Sequence, residues 1–91
     1  MSSFPENTTK IRVRVNFRAE VRGLVFPSDG SFETFMNVLS TKFKISSQRL
    51  EVKFKDEEGG WVSLKDEMDY DMALETAANG KLEISCAETR D

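Results

Sequence analysis

Histidine is absent from the 91-residue sequence, and cysteine, proline and long apolar runs are scarce. The absence of histidine removes the commonest general acid–base side chain and the commonest metal ligand. A single cysteine, Cys86, excludes an internal disulfide and favours a reducing, cytoplasmic location. No apolar run approaches the roughly 20 residues that a membrane helix needs. We therefore expect no enzyme, no cofactor, no metal site and no membrane partner.

The length of the chain supports one domain with one small core, which leaves little room for a buried active site. Residues 1–9 contain neither an apolar run nor a basic segment, so we expect a flexible lead-in and not a signal peptide. The predicted organisation is a single interaction domain over residues 10–88 and a short tail over residues 89–91.

The net charge of −3 conceals two segments of opposite charge. Residues 10–22 contain five basic residues and one acidic residue, whereas residues 55–75 contain eight acidic residues and two lysines. Folding does not require such a separation, and it often concerns binding partners. The simpler interpretation is two solvated faces.

Hydrophobic periodicity predicts two helices and five strands. Apolar residues at every second position predict strands, and apolar residues three or four apart predict helices. The predicted strands span residues 11–17, 21–26, 50–54, 61–64 and 82–86, and the predicted helices span residues 32–43 and 66–78. Ser31 is the expected cap of the first helix, Asn79-Gly80 are expected to end the second, and Gly23 suggests a bulge. This order (ββαββαβ) predicts an α+β, ubiquitin-like β-grasp fold, with a mixed sheet of about five strands packed against two helices.

Carboxylates are concentrated in a predicted turn and in the helix that follows it. The helix dipole stabilises acidic residues in the first turn of that helix, but it does not explain the carboxylates of the preceding turn. Neighbouring carboxylates repel one another, which favours a cationic partner. The candidate binding residues are Asp56, Glu58, Asp69 and Asp71, with Glu57 and Glu67 in support. We expect the turn and the start of the helix to place these six carboxylates on one surface.

This acidic segment resembles the OPCA motif of the Phox/Bem (PB1) domain family. That motif runs Asp-x-(Asp/Glu)-Gly-Asp, then a short strand, then a helix with (Asp/Glu)-x-(Asp/Glu)-x-x-Ala. Residues 56–59 correspond to its first part and residues 69–73 to its second. Gly60 departs from the motif, because an acidic residue is usual there.

The resemblance implies a protein–protein interaction module of a larger signalling or scaffold protein. Domains with this motif dock by salt bridges onto the basic, lysine-bearing face of another domain of the same fold, which gives a heterodimer. Members occur in kinases, oxidase regulators, autophagy receptors and exchange factors that act in cell polarity, and the sequence leaves the choice among these hosts open. Neither nucleic acid nor a small-molecule substrate is an expected partner.

Three alternatives accompany this interpretation. Arg14, with Arg12 beside it, occupies the first-strand position that the family's basic face usually gives to lysine, so head-to-tail self-association is one alternative. A ubiquitin-like module without OPCA-type docking is another. The acidic turn superficially resembles a calcium loop, but its glycines fall at the wrong positions for an EF-hand.

Overall fold

The computed structural model describes residues 10–27, 29–77 and 80–89. The predicted lead-in, residues 90–91 of the tail and Asn79 as a helix end lie outside these ranges. Thr89, the remaining tail residue, donates its backbone N–H to the Arg49 carbonyl at 2.8 Å. Within the described ranges the elements are β1 (Lys10–Phe17), β2 (Glu20–Pro27), α1 (Phe32–Phe43), β3 (Leu50–Lys55), β4 (Trp61–Ser63), α2 (Glu67–Thr76) and β5 (Lys81–Glu88).

The strands form one mixed sheet in the order β2-β1-β5-β3-β4. β1 and β5 pair in parallel at its centre, whereas the other neighbours are antiparallel. This arrangement brings the first and last strands together, so the basic residues of β1 lie beside the outward residues of β5. The predicted order of elements and the mixed sheet are both present.

One face of the sheet is buried beneath the helices. β1 buries every second residue, and β5 does the same from Leu82 to Cys86. α1 covers this face with Phe35, Leu39 and Phe43. Each fully buried aliphatic or aromatic side chain contributes about 1.5–3 kcal/mol relative to an exposed one. The other face of the sheet is left open, and it carries the alternate residues of each strand.

Capping residues set where both helices begin. The Ser31 hydroxyl accepts the backbone N–H of Thr34 at 3.1 Å, as the predicted cap requires. In α2 the cap is Asp66, whose extended backbone excludes it from the helix. α2 ends at Thr76, two residues before the predicted end at residue 78. The bounds predicted for α1, residues 32–43, are confirmed, whereas those predicted for α2, residues 66–78, were too wide.

The predicted bulge at Gly23 is wrong. Gly23 pairs with Arg14 in a ladder that runs without interruption from Lys10↔Pro27 to Phe17↔Glu20. The glycine instead leaves an open space on the sheet opposite Arg14.

The β1–β2 hairpin turns at two residues that lack the usual glycine. Arg18 and Ala19 have φ values of 51° and 65°, the left-handed conformation of a type I′ turn. Residues with a side chain adopt it at a cost of roughly 1–2 kcal/mol.

Replacement of Ala19 by glycine should therefore stabilise the domain. We expect Ala19→Gly to raise the free energy of unfolding in urea by about 1 kcal/mol, because glycine adopts positive φ without steric cost. Gly23→Ala is the matched control, since a Cβ there meets only the Val13 carbonyl at 3.8 Å. An unchanged or lowered midpoint for Ala19→Gly would contradict this account of the turn.

Candidate functional site

The burial of Tyr70 fixes the rotation of α2, and with it the direction of its carboxylates. Tyr70 is 1% exposed and its ring centroid lies 5.0 Å from that of Phe35. Successive helical residues are separated by about 100°. Asp69 and Asp71, one on each side of Tyr70 in sequence, therefore lie on opposite flanks of α2.

On its flank, the Asp69 side chain is engaged in capping the start of α2. The Asp69 side chain accepts the backbone N–H of Lys65 at 2.9 Å, while Asp66 accepts the N–H of Asp69 at 2.9 Å. This reciprocal arrangement resembles a capping box. Asp69 thus stabilises the fold through Oδ2, and no described residue donates to its Oδ1.

The Asp71 flank faces α1. One turn earlier on this flank, Glu67 accepts the backbone N–H of Phe32 at 3.2 Å. This contact places a carboxylate at the N-terminus of α1, where the helix dipole favours negative charge. Asp71 is exposed and makes no ion pair or hydrogen bond with the described residues. Glu67 therefore has a structural contact, whereas Asp71 is available to a partner.

We call residues 56–58 the acidic turn. Asp56 organises it, because its Oδ1 accepts the backbone N–H groups of Glu58 at 2.9 Å and Gly60 at 2.7 Å. Gly59 permits the reversal with a φ of 88°. Glu57 and Glu58 project into solvent without a cationic partner among the described residues. Asp56 is thus the structural carboxylate of the turn, and the two free carboxylates of Glu57 and Glu58 follow it.

The acidic turn lies against the second half of α2 and not against its start. A groove of about 340 Å³ separates the turn from the helix. It is lined by Phe54, Asp56, Glu57, Glu58, Val62, Met72, Glu75 and Thr76. The structure therefore brings the acidic turn together with Glu75, which was not among the predicted site residues. Asp69 and Asp71 do not line this groove. That all six predicted carboxylates act as one surface therefore stays a prediction.

Two exposed methionines separate the two flanks of α2. Met68 is 77% exposed and Met72 is 58% exposed, and they are one helical turn apart. Sequence reasoning missed them, since methionine carries no charge and its exposure depends on the rotation that Tyr70 fixes. We call the six predicted carboxylates, together with Glu75 and these methionines, the acidic surface.

Arg12 and Arg14 are exposed on the open face of the sheet, as predicted. Both line a groove of about 600 Å³, together with Lys55, Lys81 and the acidic residues Asp56 and Glu83. Glu83 of β5 stands opposite Arg14 in register and lies 3.8 Å from the Lys55 ammonium. Sequence reasoning missed Lys55 and Glu83, because their position beside β1 requires knowledge of the strand order.

Catalytic and metal-binding features are weak in the described part of the chain. Burial raises the pKa of the Cys86 thiol to about 12, which suppresses the nucleophilic thiolate. Over residues 10–27, 29–77 and 80–89, no group of three or more carboxylates and thiols could hold a metal ion. None of the described helices is long and apolar enough to cross a membrane.

A family model of the PB1 domain matches residues 10–89. The chain belongs to the PB1 domain family, and a PB1 domain is a protein–protein interaction module. Comparison with curated proteins found no matching relative.

Solved structures give the same fold. The chain is similar to the AtNBR1-PB1 domain, with a TM-score of 0.73 and 17% identity over 89% of this chain and 99% of that one. It is similar to the PB1 domain of Cdc24p, with a TM-score of 0.73 and 21% identity over 86% and 96%. A ubiquitin-like domain from tubulin-binding cofactor B follows, with a TM-score of 0.67 and 12% identity over 90% and 92%. The predicted ubiquitin-like β-grasp fold is confirmed.

The structural role of Asp56 can be separated from its charge. Asp56→Ala removes the acceptor of two backbone N–H groups, so we expect the free energy of unfolding to fall by about 1–3 kcal/mol. Asp56→Asn keeps one carbonyl acceptor and should cost less. Urea denaturation of both variants tests this, and equal losses would mean that Asp56 acts through its charge alone.

The single tyrosine should make the domain less stable in alkali. Burial, then the charges of Glu67 and Asp71, raise the pKa of Tyr70 from 10.0 to about 12. The folded state therefore favours the neutral phenol, and this stabilisation is complete below pH 10 and is lost as the pH rises through about 12. Burial of Cys86 acts in the same direction above pH 9.0.

Denaturation at a series of pH values measures these contributions. We expect the decline in unfolding free energy between pH 10 and 12 to be shallower in Tyr70→Phe, and shallower again when Cys86→Ala is added. A decline as steep in the double variant as in the wild type would contradict the assignment.

Proposed function

We propose that this PB1 domain binds another PB1 domain by docking its acidic surface onto the partner's basic face, as part of a larger signalling or scaffold protein. The observation that carries the proposal is the set of exposed carboxylates that have no cation among the described residues: Glu57, Glu58 and Asp71. Repulsion among neighbouring carboxylates is relieved when a partner supplies cations. The product is a heterodimer.

The affinity must come from several weak contacts. An exposed ion pair contributes only about 0.2–1 kcal/mol, so no single carboxylate is sufficient. Met68 and Met72 add polarizable apolar surface between the charged flanks. When these methionines exclude water from the interface, the neighbouring charge-assisted hydrogen bonds become stronger. We therefore assign the acidic surface a mixed apolar and electrostatic mode of binding.

Head-to-tail self-association is the second candidate. Its supporting observation is the exposed pair Arg12 and Arg14 in a groove that other cations also line. A solved structure of an AtNBR1-PB1 filament, at 21% identity, is similar in fold. Against this candidate, Glu83 lies opposite Arg14 and reduces the positive charge of the face. Arginine also differs from lysine in the geometry of its donors.

Charge reversal in the acidic turn tests the docking proposal. We expect Glu57→Lys/Glu58→Lys to weaken binding to PB1 domains with an outward first-strand lysine at least about tenfold, or 1.4 kcal/mol. Isothermal titration calorimetry against a panel of such domains measures the affinity. The wild-type affinity should also fall as salt is raised, because the Debye length shortens from about 10 Å at 0.1 M to 3 Å at 1 M.

The matched control is Asp29→Lys/Glu51→Lys, which makes the same change in net charge at exposed positions outside the acidic surface. It should bind the partner as the wild type does, apart from a modest long-range effect. Equal losses of affinity in both double variants would mean that net charge, and not the position of the carboxylates, determines binding. A panel in which no domain binds the wild type would contradict the proposal.

Light scattering against concentration at low salt distinguishes the two candidates. The heterodimer proposal predicts a scattering mass that stays at that of one chain. Growth that Arg12→Glu/Arg14→Glu abolishes would instead favour head-to-tail self-association.

A further inference from the structure

The outer edge of β2 presents unpaired backbone groups. No described strand pairs with this side of β2. Phe17 and Glu20 close a two-residue hairpin, so they form a hydrogen-bonded pair, and such pairs alternate along an antiparallel ladder. Every second residue of β2 therefore directs its N–H and C=O groups away from β1. These residues are Val21, Gly23 and Val25.

A contact on the far side of β1 agrees with this alternation. The backbone N–H of Arg12 donates to the Gly80 carbonyl at 2.8 Å, toward β5, so Arg12 does not bond its partner Val25 on β2. Edge strands are commonly protected by charged side chains, proline or a bulge. On β2 such residues are confined to its ends, with Glu20 and Arg22 at the start and Pro27 at the last residue. The preceding edge is open to strand pairing.

An apolar groove runs beside this edge, between β2 and α1. Its volume is about 480 Å³ and its walls are mostly carbon surface. They are formed by Leu24, Thr34, Asn37, Val38, Thr41 and Lys42. Leu24 is on the helix-facing side of β2, so a strand added at the edge would direct alternate side chains into the groove.

The opposite side of the same edge is also apolar. Val21 and Val25 are each 58% exposed on the open face of the sheet. The remaining side chains of an added strand would pack beside them. The two apolar surfaces and the unpaired backbone groups therefore adjoin one another at the β2 edge. The backbone groups can pair with the backbone of an extended segment, and the two apolar surfaces can contact the side chains on its two faces.

We propose that the β2 edge binds an extended segment of another protein by strand addition, and that this segment has apolar residues at alternate positions with carboxylates beside them. Backbone hydrogen bonds provide affinity in such complexes, and pockets for alternate side chains provide specificity. The carboxylates are inferred from Lys42 in the groove wall and from Arg22 beside it. The Arg22 guanidinium lies over the Phe43 ring and 4.0 Å from the Glu20 carboxylate, which leaves it exposed to a further carboxylate.

The same charges argue against a second copy of this chain. An antiparallel β2–β2 pair centred on Gly23 would bring the second copy's Arg22 to the groove that holds Lys42. Like charges in that position oppose the pairing. The β2 edge is also separate from the acidic surface, so this inference does not depend on the docking proposal.

Selection from a displayed library of random octapeptides tests the proposal. We expect enrichment of peptides with alternating apolar residues and adjacent Asp or Glu. These peptides should bind Gly23→Pro at least about tenfold more weakly than wild type, because proline removes an outward N–H without removing a bond to β1. Gly23→Ala retains that N–H and its Cβ meets only the Val13 carbonyl at 3.8 Å, so it should bind as wild type.

Thr41→Tyr provides a second test, because it fills the groove from an exposed helix position without adding charge and leaves the core intact. It should also weaken binding, whereas Glu57→Lys/Glu58→Lys should not. The proposal is overturned if no peptide is enriched, if Gly23→Pro and Thr41→Tyr both bind normally, or if the selected peptides are basic and need the acidic turn. Self-association that Gly23→Pro abolishes would assign the edge to a second copy and would also overturn it.

Discussion

The packing of Tyr70 into the aromatic core is the constraint on which the acidic surface depends. Its ring lies 5.0 Å from Phe35 and 6.5 Å from Phe26, centroid to centroid, and these contacts join α2 to α1 and to β2. Together with the buried Ala73 and Ala77, Tyr70 fixes which side of α2 faces the core. Every other direction on α2 follows from that anchor, including the two carboxylate flanks and the exposed methionines between them. The chemistry of the surface is thus set from inside the core.

The carboxylates divide between structural and available groups, although they look alike in sequence. Asp56, Asp69 and Glu67 accept backbone N–H groups, and each fixes the position of a segment that carries a free carboxylate. Glu58 and Asp71 make no such contact and can meet a partner. This division explains how a protein retains a repulsive cluster of charge. The backbone amides offset part of the repulsion, and the remainder favours binding.

Much of the fold could be predicted from the sequence, because period-two and helical patterns report directly which side chains are buried. The helical spacing of Tyr70, Ala73, Leu74 and Ala77 predicts one apolar side of α2, and of these residues all but the partly buried Leu74 are buried. The positions of strands and helices relative to one another could not be predicted from these patterns. The pairing of Arg14 with Glu83 depends on the parallel crossing of β1 and β5, and the place of Glu75 depends on how α2 lies against the acidic turn. The bulge predicted at Gly23 was wrong because a glycine can also lie in a regular ladder, where its missing side chain leaves open space on the sheet.

The most direct measurement of the central claim is an NMR titration of the labelled domain with an unlabelled PB1 domain that has a basic first strand. The account predicts that the amide resonances of the acidic turn and of the exposed side of α2 shift together and saturate at one partner per chain. Amides of the open sheet face, including Arg14, should stay unchanged. Shifts confined to the open sheet face, or absent from the acidic turn, would contradict the account.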